Sequence, residues 1–276
     1  MSLIALATTA RGLCDPVEPV VRADDEALLR GRAAFETLRV YGGRPFRFEA
    51  HVERLEGSAR SISLPSLARA DFERLAELVL PAAGSDDAVL RLVWTAGPEG
   101  GPATGLALLS AVPSWIEDVR RRGSRIVSLL GVRAAVPWLL PGVKSTSYAV
   151  NMAADAEAKN RGADDAIFVD ADRVVLEGTV TNVWWRVRET LRTPALGLGI
   201  LAGVTRAALL ELASEAGYVV EEGTYVLDEV VGADEVFTSS SVREVMPVVE
   251  LDGHELPRGP AADALQAALR ALALES

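Results

Sequence analysis

The sequence holds one cysteine, Cys14, two histidines, His51 and His254, and two lysines, Lys144 and Lys159. A single cysteine excludes an intrachain disulfide and a cysteine-built zinc cage. Two histidines argue against a histidine-rich site, so no metal is expected. No stretch approaches the roughly 20 apolar residues that span a bilayer, and residues 1–10 lack the basic and apolar regions of a secretory signal. Positive charge is scarce: 28 basic against 39 acidic residues leave a net charge of −11 and a pI near 4.8. Such a chain is a poor partner for DNA, RNA or an anionic membrane. The G-x-x-x-x-G-K-[ST] loop, a G-x-G-x-x-G after a strand and the G-x-S-x-G elbow are all missing, and Gly197-Leu198-Gly199 is too short to stand in. What remains, with 49% hydrophobic and 24% charged residues in 276, is ordinary globular composition. A soluble, cytoplasmic protein of one large or two modest domains is expected.

Scarcity makes the lysines informative. With only two among 28 basic residues, the other 26 are arginine. Arginine keeps its proton in a protein, whereas a lysine amine can lose one and attack a carbonyl. Lys159, in Ala156-Glu157-Ala158-Lys159-Asn160, reads as a solvated helix position. Lys144 lies between Pro141-Gly142-Val143 and Ser145-Thr146-Ser147, neither exposed helix nor charged surface, and is a candidate for chemistry.

Along the chain, two short strands come first. The β-branched and aromatic run 35–41 then turns at Gly42-Gly43 and returns over 44–48 as a hairpin. Val52, Leu55, Ala59 and Ile62 recur at helical spacing before Pro65. A second helix is expected over 71–80, and strands over 89–95 and 106–112. The break at 113–122 divides an N-terminal domain, 1–112, from a C-terminal domain, 123–276. In the latter, strands are expected over 125–130, 166–170, 174–176, 181–188 and 235–238. A loop leads from 130 to Lys144, and helices cover 148–160, 204–216 (with Leu209, Leu210 and Leu212 inward) and 260–273. Strands mixed with helices in two halves make an α/β or α+β protein. Leu201-Ala202-Gly203-Val204-Thr205-Arg206 runs from a glycine turn into a helix, whose first amides suit an anion. Thr238-Ser239-Ser240-Ser241 offers a second row of donors.

The order of these segments carries a resemblance. Phe35–Tyr41 with its Gly-Gly turn, His51-Val52-Glu53-Arg54-Leu55, Val143-Lys144-Ser145-Thr146-Ser147-Tyr148 and Gly162-Ala163-Asp164-Asp165-Ala166 come first. Leu176-Glu177-Gly178-Thr179-Val180-Thr181-Asn182, Gly199 to Arg206 and Ala233-Asp234-Glu235-Val236-Phe237 follow. In this order they resemble the class IV (fold type IV) pyridoxal-phosphate enzymes over nearly the whole chain. That family holds branched-chain and D-amino acid aminotransferases, (R)-amine transaminases and aminodeoxychorismate lyase. The resemblance implies two domains, a smaller N-terminal α/β domain and a larger, β-barrel-like C-terminal α/β domain. It also implies a homodimer, a site in the cleft between domains, and pyridoxal 5'-phosphate as cofactor. By the same resemblance Lys144 forms the internal aldimine and shuttles the Cα proton, and Glu177 keeps the pyridine nitrogen protonated. Arg54 grips the phosphate, joined by the amides of Val204 and Thr205 and by Ser240 and Ser241. Tyr148 bonds the phenolic oxygen, Thr181 and Asn182 support the strand after Glu177, and His51 is structural.

The chain also departs from the family. Arg30-Gly31-Arg32-Ala33 stands where members often carry Phe-Gly-Asp-Gly, Arg243 stands where small residues are common, and the loop 97–102 lacks an Arg-x-His pattern. Phe35, Arg30, Arg32, Arg91 and Arg243 are the candidate substrate contacts, the arginines for a carboxylate. The function implied first is transfer of an amino group from a D-amino acid to a 2-oxo acid by a ping-pong mechanism. Aminodeoxychorismate lyase (4-aminobenzoate plus pyruvate), branched-chain or (R)-amine transamination, and a non-catalytic interaction protein are the alternatives. Retention of Lys144, Glu177 and Arg54 together speaks against the last.

Overall fold

The computed structural model describes residues 2–131 and 136–275 and forms two compact units, each built on one curled sheet. The first comprises Met1–Pro113 and Val143–Tyr148. Its elements are β1 (Leu3–Thr8), β2 (Gly12–Cys14), α1 (Glu26–Arg30), β3 (Ala33–Tyr41), β4 (Arg44–Pro45), α2 (Phe48–Ser61), α3 (Arg69–Val79), β5 (Ala88–Thr95) and β6 (Thr104–Ala111). The strands form an antiparallel sheet in the order β2-β1-β6-β5-β3-β4. Alternation decides which residues face the helices. Ala34, Leu38 and Val40 of β3 and Leu90 and Leu92 of β5 pack with Val52, Leu55 and Ala59 of α2 and Phe72, Leu75 and Val79 of α3. The same parity sends Glu36 to that apolar face and leaves Phe35 and Thr37 on the other, opposite Val93 and Arg91.

The second unit comprises Ser114–Gly142 and Ala149–Glu275. It contains α4 (Trp115–Arg122), β7 (Ser124–Leu130), α5 (Ala149–Asn160), β8 (Asp165–Val169), β9 (Val175–Gly178), β10 (Asn182–Val187) and β11 (Thr190–Pro194). α6 (Val204–Glu215), β12 (Val219–Gly223), α7 (Leu227–Val231), β13 (Glu235–Ser240), β14 (Glu244–Leu251), β15 (His254–Glu255) and α8 (Ala261–Glu275) complete it. Its sheet runs β12-β11-β10-β13-β14-β7-β8-β9, with β15 on β14. β11/β12, β14/β7 and β7/β8 pair parallel, the others antiparallel. The sheet curls far enough that β9 also lies near β10 and β11. Trp184 on β10 stacks on its cross-strand partner Phe237 at 6.0 Å, while Trp185 joins Val183, Val236 and Val248 in the core beyond.

Several expectations need adjustment. The segment 113–122, expected as a linker, is largely helix α4 and from Ser114 on clusters with the second unit. Ile116 and Val119 are buried, with acids in its first turn and arginines in its last to match the helix dipole. Val143–Tyr148 rejoins the first unit. The hairpin's return strand shrinks to Arg44–Pro45. On α6, Ala208, Leu209, Leu212 and Ala213 face inward, and Leu210, one position round from Leu209, is only half-buried. Strands β11, β12, β14 and β15 went unread. The expected loop from 130 to Lys144 includes 132–135, which lie outside the described residues, as do both ends of the expected domain limits, Met1 and Ser276.

Candidate active site

In the first unit, Lys144 is set against the edge of β3 by backbone bonds. Its carbonyl accepts from the Phe35 N–H (3.1 Å), and the Thr146 N–H donates to the Ala33 carbonyl (2.9 Å). Its own N–H donates to Ser58 Oγ on α2 (3.1 Å). Gly31, left-handed at φ 65 after α1, lets its carbonyl accept from Thr146 Oγ1 (3.0 Å) and Ser147 Oγ (3.1 Å). A Cβ there would press on Ser147, so glycine is required by both backbone and space. So held, the Lys144 side chain brings Nζ to 4.3 Å from the centroid of the Phe35 ring. Arg91 places its guanidinium carbon 5.5 Å from the same centroid. Tyr148 meets the ring edge-on at 5.5 Å. Two cations and a phenol therefore gather on one aromatic ring.

Under that sheet lies a charge cluster. Arg54 forms a two-pronged bond from Nε and Nη2 to the two oxygens of Glu36, each 2.7 Å, and His51 Nδ1 is 2.7 Å from Glu36 Oε2. Glu36 is 0% exposed and the Arg54 side chain 14%. Burial alone would push the Glu36 carboxyl up, but the Arg54 charge and the bonds from Arg54 and His51 outweigh it and bring it down to about 2. Burial lowers His51 below its usual value, against the pull of Glu36.

In the second unit, buried Glu177 on β9 accepts from the Leu201 N–H through Oε2 (2.9 Å). Asn182 at the start of β10 donates Nδ2 to the Leu201 carbonyl (3.0 Å). These bonds fix the approach to α6. Its N-cap is Gly203, with no side-chain cap, and a Cβ on Gly203 would overlap Asn182 Oδ1. The first amides of α6, at buried Val204 and Thr205, thus start a helix dipole with no side chain of the N-cap covering it. Thr181 Oγ1 is buried and has no hydrogen-bond partner. Ser240 Oγ accepts from the Arg243 N–H (3.3 Å) at the tip joining β13 to β14, beside half-buried Ser241.

The arginines proposed for a substrate carboxylate separate by their partners. Arg30 is exposed at the end of α1. Arg32 pairs with Glu26 and donates to the carbonyls of Ile62 and Ser63. Arg243 pairs with buried Asp165 and lies 5.2 Å from the Trp115 ring centroid, so its charge is matched within its own unit. Arg91 and the Lys144 amine both lie at the Phe35 ring. Sequence reasoning missed Glu36, Ser58, Asp165 and Glu244. For Glu36 a signal existed, because strand alternation places it on the face of Leu38. Among the described residues no group of three or more His, Cys, Asp or Glu could hold a metal ion, and no helix is long and apolar enough to cross a membrane.

Taken unit by unit, the donors have the chemistry that a phosphorylated pyridine aldehyde calls for: the first unit offers an amine suited to an aldehyde, and the second a buried carboxylate suited to a ring nitrogen and an uncapped helix start suited to a phosphate. Comparison with known proteins agrees. Residues 33–251 match the family model described as Amino-transferase class IV. A bifunctional aminodeoxychorismate lyase / D-amino acid transaminase of Mycobacterium tuberculosis is 36% identical over 91% of this chain and 92% of its own length. A putative branched-chain-amino-acid aminotransferase of Methanocaldococcus jannaschii is 32% identical over 87% of this chain and 85% of its own. A solved structure of a hypothetical aminotransferase from Mycobacterium tuberculosis in a PLP-bound form superposes with a TM-score of 0.91 at 34% identity, covering 98% and 99% of the two chains.

Proposed function

Because the chain belongs to the class IV aminotransferases, we propose that it moves an amino group from a D-amino acid to a 2-oxo acid in two half-reactions, with Lys144 as its reacting residue. Its cofactor is pyridoxal phosphate, which when bound supplies an electron sink for the carbon that loses a proton. Lys144 would supply the primary amine that holds the aldehyde carbon, and the same amine would move the Cα proton of the substrate. Glu177, oriented by the Leu201 amide, holds a proton on the ring nitrogen. The first turn of α6, with Ser240 and Ser241, binds the phosphate, and Glu36 orients Arg54 as the first unit's phosphate ligand. Tyr148, positioned by Phe35, bonds the phenolic oxygen.

The observation that carries the choice of substrate is the pairing of Arg91 with Lys144 on the Phe35 ring. A permanent cation at the same ring as the reacting amine suits a substrate whose reacting carbon bears a carboxylate, rather than a neutral amine. The D-preference is supported by the Mycobacterium tuberculosis relative. That relative's bifunctional name also favours a second reading, aminodeoxychorismate lyase, which would use the same Lys144 and Glu177. The enzyme is taken as a cytoplasmic homodimer; exposed Leu28 and Leu29, adjacent on α1 of the first unit, support a partner surface there.

The test mixes cofactor-loaded protein with D-alanine or D-glutamate, and separately with the L-forms, while following the visible band of the bound cofactor. Loss with the D-form alone, reversed by a 2-oxo acid, is expected. If neither hand bleaches the band, pyruvate release from aminodeoxychorismate becomes the assay. Arg91→Ala should raise KM for amino acids by roughly 10- to 100-fold, the worth of a charge-assisted hydrogen bond. KM for neutral amines should hardly change; an equal effect on both would remove Arg91 from the carboxylate site.

A further inference from the structure

The turn from β13 to β14 contains a conflict between side chain and backbone. Glu244 opens β14 opposite Ser240, with Ser241, Val242 and Arg243 forming the tip between them. Glu244 sits at φ 56, the left-handed region that such a hairpin position ordinarily gives to glycine or asparagine. It is also fully buried. A buried acid in that conformation is disfavoured twice, so what holds it there must be specific.

The holding is visible. Glu244 Oε2 accepts from Arg120 Nη2 of α4 (2.9 Å), Gln266 Nε2 of α8 (2.9 Å) and Arg270 Nη2 of α8 (3.0 Å), and Oε1 meets Arg270 Nε at 2.7 Å. Arg120 reaches past the carboxylate to the backbone on either side, donating to the carbonyls of Arg243 (2.7 Å) and Val245 (3.3 Å). Gln266 Oε1 accepts the Val245 N–H (2.9 Å). Two helices thus grip the residues immediately after the tip. The far side is tied as well: Arg243 pairs with Asp165, which accepts from the Thr179 hydroxyl (2.5 Å), two residues after Glu177. Glycine would satisfy the backbone but would leave Arg120 and Arg270 without this shared carboxylate.

We propose that Glu244, clamped by Arg120, Gln266 and Arg270, is a positioning residue that fixes the Ser240–Arg243 tip as a phosphate-binding edge. This rests on the reading of Ser240 and Ser241 as phosphate donors. Glu244 touches neither cofactor nor substrate; it acts by holding the tip's amides and hydroxyls in place.

The test separates placement of the tip from general stability by comparing two ligands. The full-length chain, wild type and Glu244→Gln, is titrated with pyridoxal phosphate and with pyridoxal, which lacks the phosphate, following cofactor absorbance and protein fluorescence. Gln keeps the shape and loses the charge that holds Arg120 and Arg270. Affinity for pyridoxal phosphate should fall by roughly 10- to 100-fold, the range for a hydrogen bond to a charged group, while affinity for pyridoxal changes little. An equal fall for both ligands, or none, overturns the proposal. If Glu244→Gln does not fold, Arg120→Lys serves instead: it keeps a cation for Glu244 but loses the fork to the Arg243 and Val245 carbonyls, and the same selective loss is expected. Ser241→Ala guards the underlying reading. If it leaves the preference for the phosphorylated ligand untouched while Glu244→Gln lowers it, the serine assignment fails and the positioning role of Glu244 stands. If both variants leave the preference untouched, the positioning role fails too.

Discussion

Replacing Glu36 by glutamine tests the charge cluster beneath Lys144. The substitution keeps the side chain's size but removes the charge that Arg54 grips with two bonds at 2.7 Å. A fall of the Glu36 carboxyl from 4.5 to about 2, at about 1.4 kcal/mol per pH unit, corresponds to roughly 3 kcal/mol of favourable interaction. Breaking a buried ion pair by removing one partner costs about 3–5 kcal/mol, in agreement. At about 2–4 °C per kcal/mol for a chain of this size, Glu36→Gln should lower Tm by about 6–12 °C near pH 7. The sign with pH follows from the direction of the shift. A carboxylate depressed in the folded state stabilises it above the unfolded value, 4.5, and that contribution is lost as pH falls toward about 2. The gap in Tm between wild type and variant should therefore narrow as pH drops below about 4.5. His51, lowered by burial against the pull of Glu36, would cost the variant more stability than wild type as pH falls below its ordinary 6.5, so the melts compare Glu36 with Glu36→Gln in a shared His51→Gln background. Thermal melts of both proteins across this range suffice. A gap of less than about 2 °C near pH 7, or one that stays constant to about pH 3.5, would refute the assignment of Glu36 as the charged partner of Arg54.

Two further outcomes follow from the site. Lys144→Ala should abolish the visible band of the lysine-bound cofactor and the half-reaction with amino acids while leaving Tm near that of the apoprotein, since the backbone bonds of Lys144 to Phe35 and Ser58 do not need its side chain; a wild-type spectrum would remove Lys144 from the chemistry. Gly203→Ala should weaken cofactor binding, because its Cβ would displace Asn182, which holds the Leu201 carbonyl, while the Leu201 amide orients Glu177; unchanged cofactor affinity by titration would count against the α6 cradle.

The local parts of this protein were legible in its residues. Helical spacing at Val52, Leu55, Ala59 and Ile62 before Pro65 marked α2, which ends at Ser61, and the Gly42-Gly43 turn marked the hairpin. The scarcity of lysine singled out Lys144, and the glycine turn into Val204 marked an anion-binding helix start. Each of these signals is carried by neighbours within a few positions, where turn chemistry and periodicity act directly. Strand β12 escaped because pairing with β11, far earlier in the chain, makes it a strand, whereas β11 and β14 return from hairpins whose turns, at Arg188-Glu189 and Ser241-Val242-Arg243, carry none of the glycine or asparagine that marks a turn.

Tertiary structure decided what each charge is for. In sequence, Arg32, Arg91 and Arg243 are three alike candidates for one carboxylate. Folding ties Arg32 to Glu26 and to the end of α2, ties Arg243 to an aspartate 78 residues earlier, and brings Arg91 to the ring that Lys144 also meets. It also turns Glu36 from a strand acid into the buried partner of Arg54 and His51. The reason is physical: a residue's type sets which interactions it can make, but charges act over a few ångströms of space, and only the register of the sheets and the docking of the helices determine which charges come that close.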